Sequence, residues 1–406
     1  MMETWTLAAV WIGLALVATL VSIWFRVATA LSEIVVGTVA QLVIGALMGG
    51  AVLGTDQSWI KFLSGTGAIL LTFLAGAELD PAVFKLKWKE ASVVGLASFA
   101  APFLGCTAVA HWLLHWSGPA SWLAGVAMST TSVAVVYAVM LELGLNNTRF
   151  GKTLLAACFV TDLGTVIALG LIFSPFTLKT GAFVGASAVI FFVLPWLTPR
   201  FFKRYGGRPS ELEAKYLLFF LFGMGALALW AGSEAVLPAY LIGMVLAGTV
   251  GKDHALVRRL RTLTFGLLTP FYFIRAGSLV SVPALIAAPG ILLILLVSKV
   301  ACKMVAVWPA TQLFNGGKDR ETRLEGIYTT LLMSTGLTFG SIASLFGLAH
   351  HIIDTAQYSY LVAAVIISAV VPTVIANAFY LPRHFLAPPP AKTVDDGSKV
   401  QREQTI

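Results

Sequence analysis

The sequence predicts an all-α polytopic membrane protein. It has about thirteen transmembrane helices, arranged as two inverted six-helix repeats with broken crossover helices. Three observations carry that prediction. First, 58% of the 406 residues are hydrophobic and only 11% are charged, with a mean hydropathy of +0.87; soluble domains average about 25% charged. Second, apolar runs of about 20 residues, long enough to cross a bilayer, follow one another along most of the chain. Third, the basic residues between those runs fall in alternate loops.

In chain order the predicted spans are 5–25, 30–53, 59–78, 91–115, 119–143, 152–174, 180–200, 214–232, 235–250, 263–284, 289–314, 325–348 and 357–381. Lys85, Lys87 and Lys89 follow the third span, and Arg149 and Lys152 the fifth. Arg200, Lys203, Arg204 and Arg208 follow the seventh, Lys252, Arg258, Arg259 and Arg261 the ninth, and Lys318, Arg320 and Arg323 the eleventh. The intervening loops hold one basic residue between them, Lys179. Cytoplasmic loops carry the Lys/Arg excess, so the N-terminus is expected outside and the C-terminus in the cytoplasm of a plasma (inner) membrane protein. With the seventh span as a linker, spans 1–6 and 8–13 become two halves of opposite orientation, the usual plan of secondary transporters. The tail 385–406, with Pro388, Pro389 and Pro390 and mixed charge, reads as disordered.

The net charge of +8 sits in these short loops, so it reports topology and a lipid partner, with no nucleic acid expected. Cys106, Cys158 and Cys302 lie in apolar runs without ligand spacing and read as small core residues. The six His form no metal motif. No nucleophile elbow and no second catalytic carboxylate at suitable depth is present, so an enzyme is not expected, nor is a cofactor.

One carboxylate, Asp162, stands in the middle of the sixth span. A charge at that depth costs a few kcal/mol or more, and such acids face a wet cavity or a partner and mark ion or proton pathways. Two other spans carry break signals. The fifth contains Ser129, Thr130, Thr131 and Ser132 in succession, and the twelfth contains Ser334, Thr335 and Gly336, with Gly340 a turn later. Hydroxyls satisfy the backbone groups freed when a helix breaks, whereas the same small residues also permit close helix packing. Their matching places in the two halves favour interruption, and transporters bind ions where helices break near the midplane.

The eleventh span holds Lys299 and Lys303, four apart on one helix face, and either can balance Asp162. Arg275, inside the tenth span, is expected to pair with Glu78 or Glu234 and hold the architecture. Glu33 and Glu78, near inner ends of spans, are expected to shape an inner funnel.

These features together resemble the monovalent cation:proton antiporter-2 family, of the sodium/hydrogen exchanger fold. The likeness is carried by Ser32-Glu33-Ile34-Val35-Val36-Gly37, Ala75-Gly76-Ala77-Glu78-Leu79-Asp80, the Ser/Thr run and Leu141-Glu142-Leu143-Gly144. It continues with Thr161-Asp162, Pro270-Phe271-Tyr272-Phe273 before Gly277, and Lys299.

The resemblance implies a membrane domain over 1–384 that forms a homodimer. A dimer part would cover about 5–90 and 213–286, a core part about 91–175 and 289–381, and a linker helix about 180–203. It implies that Asp162 binds a transported monovalent cation (Na+ first, K+ as the alternative) and H+ in turn, with Thr161, Thr130, Thr131 and Ser132 around it. Lys299 matches the family's basic position beside the acid. Many members have a second acid or an Asn where this chain has Thr161, and a single carboxylate favours electroneutral exchange. A sodium-coupled symporter of a small organic solute is the alternative reading.

Overall fold

The computed structural model describes residues 2–382 except 26, 49–52, 78–80, 144, 146–147, 174–176, 234 and 316–319. Glu78, Leu79, Asp80, Gly144, Glu234 and the tail 385–406 therefore lie outside the described residues. The helices are α1 (Met2–Phe25), α2 (Thr29–Met48), α3 (Ser58–Ala77), α4 (Pro81–Ala108) running into a π-helical turn (Val109–Leu113), α5 (Gly118–Ser129), α6 (Val133–Glu142), α7 (Arg149–Ile172) and α8 (Leu178–Tyr205). They continue as α9 (Leu212–Trp230), α10 (Val236–Leu246), α11 (His254–Leu263), joined by a π-helical turn (Thr264–Leu268) to α12 (Thr269–Ser278), then α13 (Val282–Ala287), α14 (Pro289–Asn315), α15 (Arg320–Met333), α16 (Thr338–Ala349) and α17 (Thr355–Phe379). Among the described residues no strand is present. Nine segments there are long and apolar enough to cross a membrane, with α15 and α16 counted together; Thr29–Ile44 and α10 are shorter apolar helices.

Each predicted span falls on helix, but some bounds move. α4 starts ten residues before its predicted span, because Lys85, Lys87 and Lys89 lower the hydropathy of a stretch that is nonetheless helical. At Lys87 the backbone leaves helical angles (φ −119°, ψ 20°), which separates that start from the apolar part. The predicted span 263–284 covers two helices, α12 and α13, because Ser281 caps a new helix that opens with Pro283 in its first turn. Local signals explain other starts. Thr148 accepts from the Gly151 amide to cap α7, and Asp354 and Gln357 form a reciprocal cap for α17.

Packing sorts the helices into two groups. In the first, α2 lies on α1 and α12, α3 on α10 and α12, and α8 and α9 on α10. In the second, α4 packs on α5, α7 and α14, α14 on α15 and α17, and α16 on α5 and α17. The groups meet where α10 lies on α7, and the short α13 rests on α17. The outer faces of α1 and α8 expose large apolar side chains, Trp24 at 75% and Phe192 at 76%, which suit lipid.

Glycines set the closest crossing in the first group. A Cβ on Gly277 would overlap the Ile34 carbonyl, and one on Gly37 the Ile274 carbonyl. The α2 and α12 backbones thus touch, and Thr38 Oγ1 adds a 2.9 Å bond to Gly277 O. Gly277→Val should cost about 1–3 kcal/mol through overpacking. The check is the melting temperature in detergent against Gly13→Val, a position where a Cβ meets nothing within 4 Å. Equal melting temperatures would contradict the close crossing.

Candidate functional site

Two helices are interrupted at the centre of the second group. α5 stops at Ser129 and α6 resumes at Val133; α15 stops at Met333 and α16 resumes at Thr338. Between them Thr130 is extended (φ −62°, ψ 152°). The two breaks lie side by side: the Ser132 amide donates to Thr335 O at 3.1 Å, and Thr131 Oγ1 to Met333 O at 2.8 Å. A broken helix exposes carbonyls that no following turn satisfies. Here neighbouring hydroxyls fold back onto them. Ser129 Oγ donates to Val126 O, Thr130 Oγ1 to Ala127 O, Ser334 Oγ to Thr330 O and Thr335 Oγ1 to Leu332 O, at 2.7 to 3.1 Å. That accounts for the run of hydroxyl residues at both breaks.

α7 presents one face to this crossing. Cys158, Asp162 and Thr165 are spaced four and three apart, so they share that face. Cys158 Sγ lies 3.5 Å from Met333 Sδ at the end of α15, and Thr165 Oγ1 lies 3.3 Å from Ser129 Oγ at the end of α5. Asp162, between them, therefore faces the meeting ends of both interrupted helices. Its residue is 1% exposed and its Oδ1 has no hydrogen-bond partner. Thr161 points elsewhere: its hydroxyl donates to Gly95 O on α4 and to Ala157 O, both at 3.1 Å.

The two lysines of α14 take different places. Lys303 Nζ sits in the crossing and donates to Met333 O (2.5 Å), Thr131 Oγ1 (2.9 Å), Ser98 Oγ (3.0 Å) and Thr130 O (3.1 Å). It thereby caps the C-terminal ends of both α5 and α15, where the partial negative charge of a helix gathers. Its charge is also the one that acts on Asp162. Lys299 Nζ is buried without a hydrogen-bond partner, and a Cβ on Gly336 would overlap it and come within 2.7 Å of Thr130 Oγ1. Gly336 is thus the residue whose missing side chain leaves room for Lys299. Among the described residues neither lysine forms an ion pair with Asp162 within 4.0 Å.

Other expected residues lie away from the crossing. Arg275 Nε donates to the Thr55 carbonyl at 3.0 Å, and the carboxylates expected to pair with it, Glu78 and Glu234, lie outside the described residues. Glu33 is 3% exposed in the second turn of α2. A cavity of roughly 180 Å³ opens between α4, α7, α14 and α15, lined by Lys87, Glu90, Arg149, Glu325 and Thr329 among others, with Ala157 in its wall. The sequence marks Ser129 only as part of the break and not beside Asp162, and it does not single out Ser98, Thr165 or Tyr240. Thr165 is detectable as a hydroxyl three residues from Asp162. Nothing in the sequence marks Ser98. Tyr240, from α10 of the first group, donates to Phe159 O at 3.0 Å and packs edge-on against Phe339, with ring centroids 5.8 Å apart.

Comparison with known proteins agrees with this architecture. The chain is 27% identical over 383 residues to the "Probable Na(+)/H(+) antiporter 3" of Methanocaldococcus jannaschii, covering 89% of this chain and 95% of that protein. It is 26% identical over 369 residues to the "Na(+)/H(+) antiporter" of Enterococcus hirae, covering 84% and 91%. It also matches the "Glutathione-regulated potassium-efflux system protein KefC" of an Enterobacter species, at 28% over 291 residues, although the match spans only 45% of that protein. Its fold matches the solved sodium proton antiporter MjNhaP1 of Methanocaldococcus jannaschii, with a TM-score of 0.67 at 14% identity over 95% of this chain and 99% of that one. The transmembrane sodium/hydrogen exchanger family matches residues 12–379, a span that takes in both interrupted helices, Asp162, Lys299 and Lys303, and on that match the chain belongs to the sodium/hydrogen exchanger family.

Proposed function

We propose that this chain exchanges a monovalent cation for H+ by alternating access, with Asp162 as the shared cation and proton site. The observation that carries the reading is the placement of Asp162: a buried carboxylate, unpaired at Oδ1, aimed at the meeting ends of two interrupted helices. Family membership and the relatives named for Na+/H+ exchange support it. Na+ is the first choice of ion, and the similarity to a protein named for potassium efflux makes K+ the second. Nothing among these relatives favours a solute symporter.

One carboxylate holds a proton or a small cation, not both at once. Loaded with either, the site carries no uncompensated negative charge. Bare, Asp162 bears the desolvation penalty of a charge held at membrane depth, about 2.5–3.5 kcal/mol on the most lenient scale. That difference bars the empty site from crossing and forbids leak. The hydroxyls of Ser129 and Thr165, which touch each other beside Asp162, supply neutral oxygens for a cation. Lys303, held by four bonds, stays fixed and offsets the two helix ends. Lys299, which has no hydrogen-bond partner, is the movable positive charge of the site. A single acid gives one-for-one, electroneutral exchange.

The second helix group is the moving core and the first the dimer contact of a homodimer in the inner membrane. The N-terminus is outside and the C-terminus cytoplasmic. The ionic cavity at Lys87, Glu90 and Arg149 then opens on the cytoplasmic side.

The test is proton flux through purified protein in liposomes with a pH gradient, adding Na+, K+ and Li+ separately. Cation-driven proton movement is expected, with Na+ strongest and the rate indifferent to membrane potential. Asp162→Asn should abolish it while keeping the wild-type elution profile; exchange retained in that variant overturns the assignment.

The lysines differ in a second measurement. Lys303→Met leaves Thr130 O without its donor and Met333 O with Thr131 Oγ1 alone, at about 1–3 kcal/mol for the buried unpaired carbonyl, and should lower the melting temperature. Lys299→Met replaces an unpaired buried ammonium by an apolar chain of similar length and should leave it unchanged or raise it. The reverse order would mean that the roles are exchanged.

A further inference from the structure

At one end of the molecule the second helix group is tied to the first and to the segment joining them by a short run of consecutive residues on α17. Tyr358 Oη donates to Ala276 O in the last turn of α12 at 2.6 Å. The Ser281 amide, in the link after α12, donates to Ser359 Oγ at 2.7 Å. Tyr360 Oη donates to Ala284 O in α13 at 3.1 Å. The first two bonds satisfy groups that helix ends leave open, a last-turn carbonyl of α12 and the cap amide of α13; the third adds a second donor to a carbonyl that already accepts from the Ala288 amide. Tyr358 has 0% exposure, so the first bond excludes water.

Both sides of this contact are anchored. On α17 the Asp354–Gln357 reciprocal cap fixes the turn that carries Tyr358. On α12, Arg275 Nε holds the Thr55 carbonyl, Ser278 Oγ bonds Arg275 O, and Thr38 Oγ1 bonds Gly277 O. The acceptor Ala276 thus sits on a post braced against α2 and the loop before α3. The opposite end of the second group carries the ionic cavity that reaches Ala157. The charge of the loops puts the α17 start outside and that cavity inside.

We propose that the Tyr358–Ser359–Tyr360 run is an outer latch. It closes the cleft between the two helix groups on the external face, holds Asp162 turned away from the outside, and releases each time the site faces outward. This inference rests on the alternating-access reading. Bonds present in one of two states add to the population of that state alone. Removing a latch bond therefore shifts the resting balance towards the outward-open form without touching Asp162.

The test uses full-length protein in liposomes with Cys106, Cys158 and Cys302 replaced by Ala and one reporter, Ser278→Cys, beside the latch. Ser278 is 6% exposed in the closed form. A membrane-impermeant maleimide is added from the side of the N-terminus. Tyr358→Phe keeps the ring and removes the donor, and should raise the labelling rate about fivefold, the worth of one hydrogen bond; adding Ser359→Ala should raise it further. Tyr328→Phe breaks a bond of the same kind inside the second group, Tyr328 to Asn377 at 3.0 Å, and should leave labelling unchanged.

No increase with the latch variants, or an equal increase with Tyr328→Phe, overturns the proposal. Should the cysteine background fold poorly, hydrogen exchange of the Ser281 amide in otherwise native protein decides instead: Tyr358→Phe, which leaves the Ser359 acceptor of that amide in place, speeds it if the latch holds, and unchanged exchange overturns it. Labelling needs no cation, whereas the exchange reading fails only if wild-type protein moves no protons when a cation is supplied. The two failures are therefore distinguishable.

Discussion

The Lys303 ammonium holds together a place where two helices stop and their carbonyl ends converge. Two C-terminal helix ends brought side by side in a membrane present partial negative charge and unpaired oxygens at the same spot. Water would relieve both in a soluble protein; in the bilayer interior something in the chain has to do so. Lys303 does it with bonds to Thr130 O and Met333 O, steadied by Ser98 and Thr131. The extended segments at the two breaks can then lie against each other through the Ser132–Thr335 bond. Everything proposed for the site depends on that crossing staying intact while open to an ion on one side.

Asp162 is placed by the same arrangement. Its neighbours along α7, Cys158 and Thr165, touch the ends of α15 and α5 respectively, so the carboxylate cannot avoid the crossing. With Lys303 committed to four oxygens, Asp162 is left with an unpaired Oδ1 and no ion pair among the described residues. A carboxylate in that position favours whatever can neutralise it, a proton or a bare cation. That preference is the physical content of exchange: the loaded forms tolerate the low-dielectric middle of the protein and the empty form does not. Tyr240 joins this region to the first helix group through Phe159 O, one turn from Asp162. The relative movement of the groups that the proposed exchange requires would thereby be felt close to the site.

Much of this was legible in the sequence for reasons that are physical rather than statistical. Apolar length and alternating loop charge are imposed by the bilayer, so the membrane class and the places of the apolar helices could be read directly. The hydroxyl runs at Ser129–Ser132 and Ser334–Thr335 announced the breaks because the carbonyls freed in a broken helix need local donors. Asp162 stood out because an acid at depth is costly. The division of labour between Lys299 and Lys303 could not be read. Four residues apart on one face, they are equivalent in sequence, and only the register of α14 against α4, α5 and α15 decides which reaches the carbonyls. Ser98 was invisible for the same reason. The early start of α4 and the split of the tenth span into α12 and α13 were missed because hydropathy follows lipid contact, not helix ends.

The central claim is that one buried carboxylate alternates between a proton and a cation. Its most direct test is proton release from purified protein in weakly buffered detergent solution when Na+ or K+ is added at a pH where the site is loaded with H+. The account predicts close to one proton released per protomer at saturation, driven by the transported ion alone and absent from Asp162→Asn. Release that persists in Asp162→Asn, or cation binding with no proton released from the wild type, would contradict it.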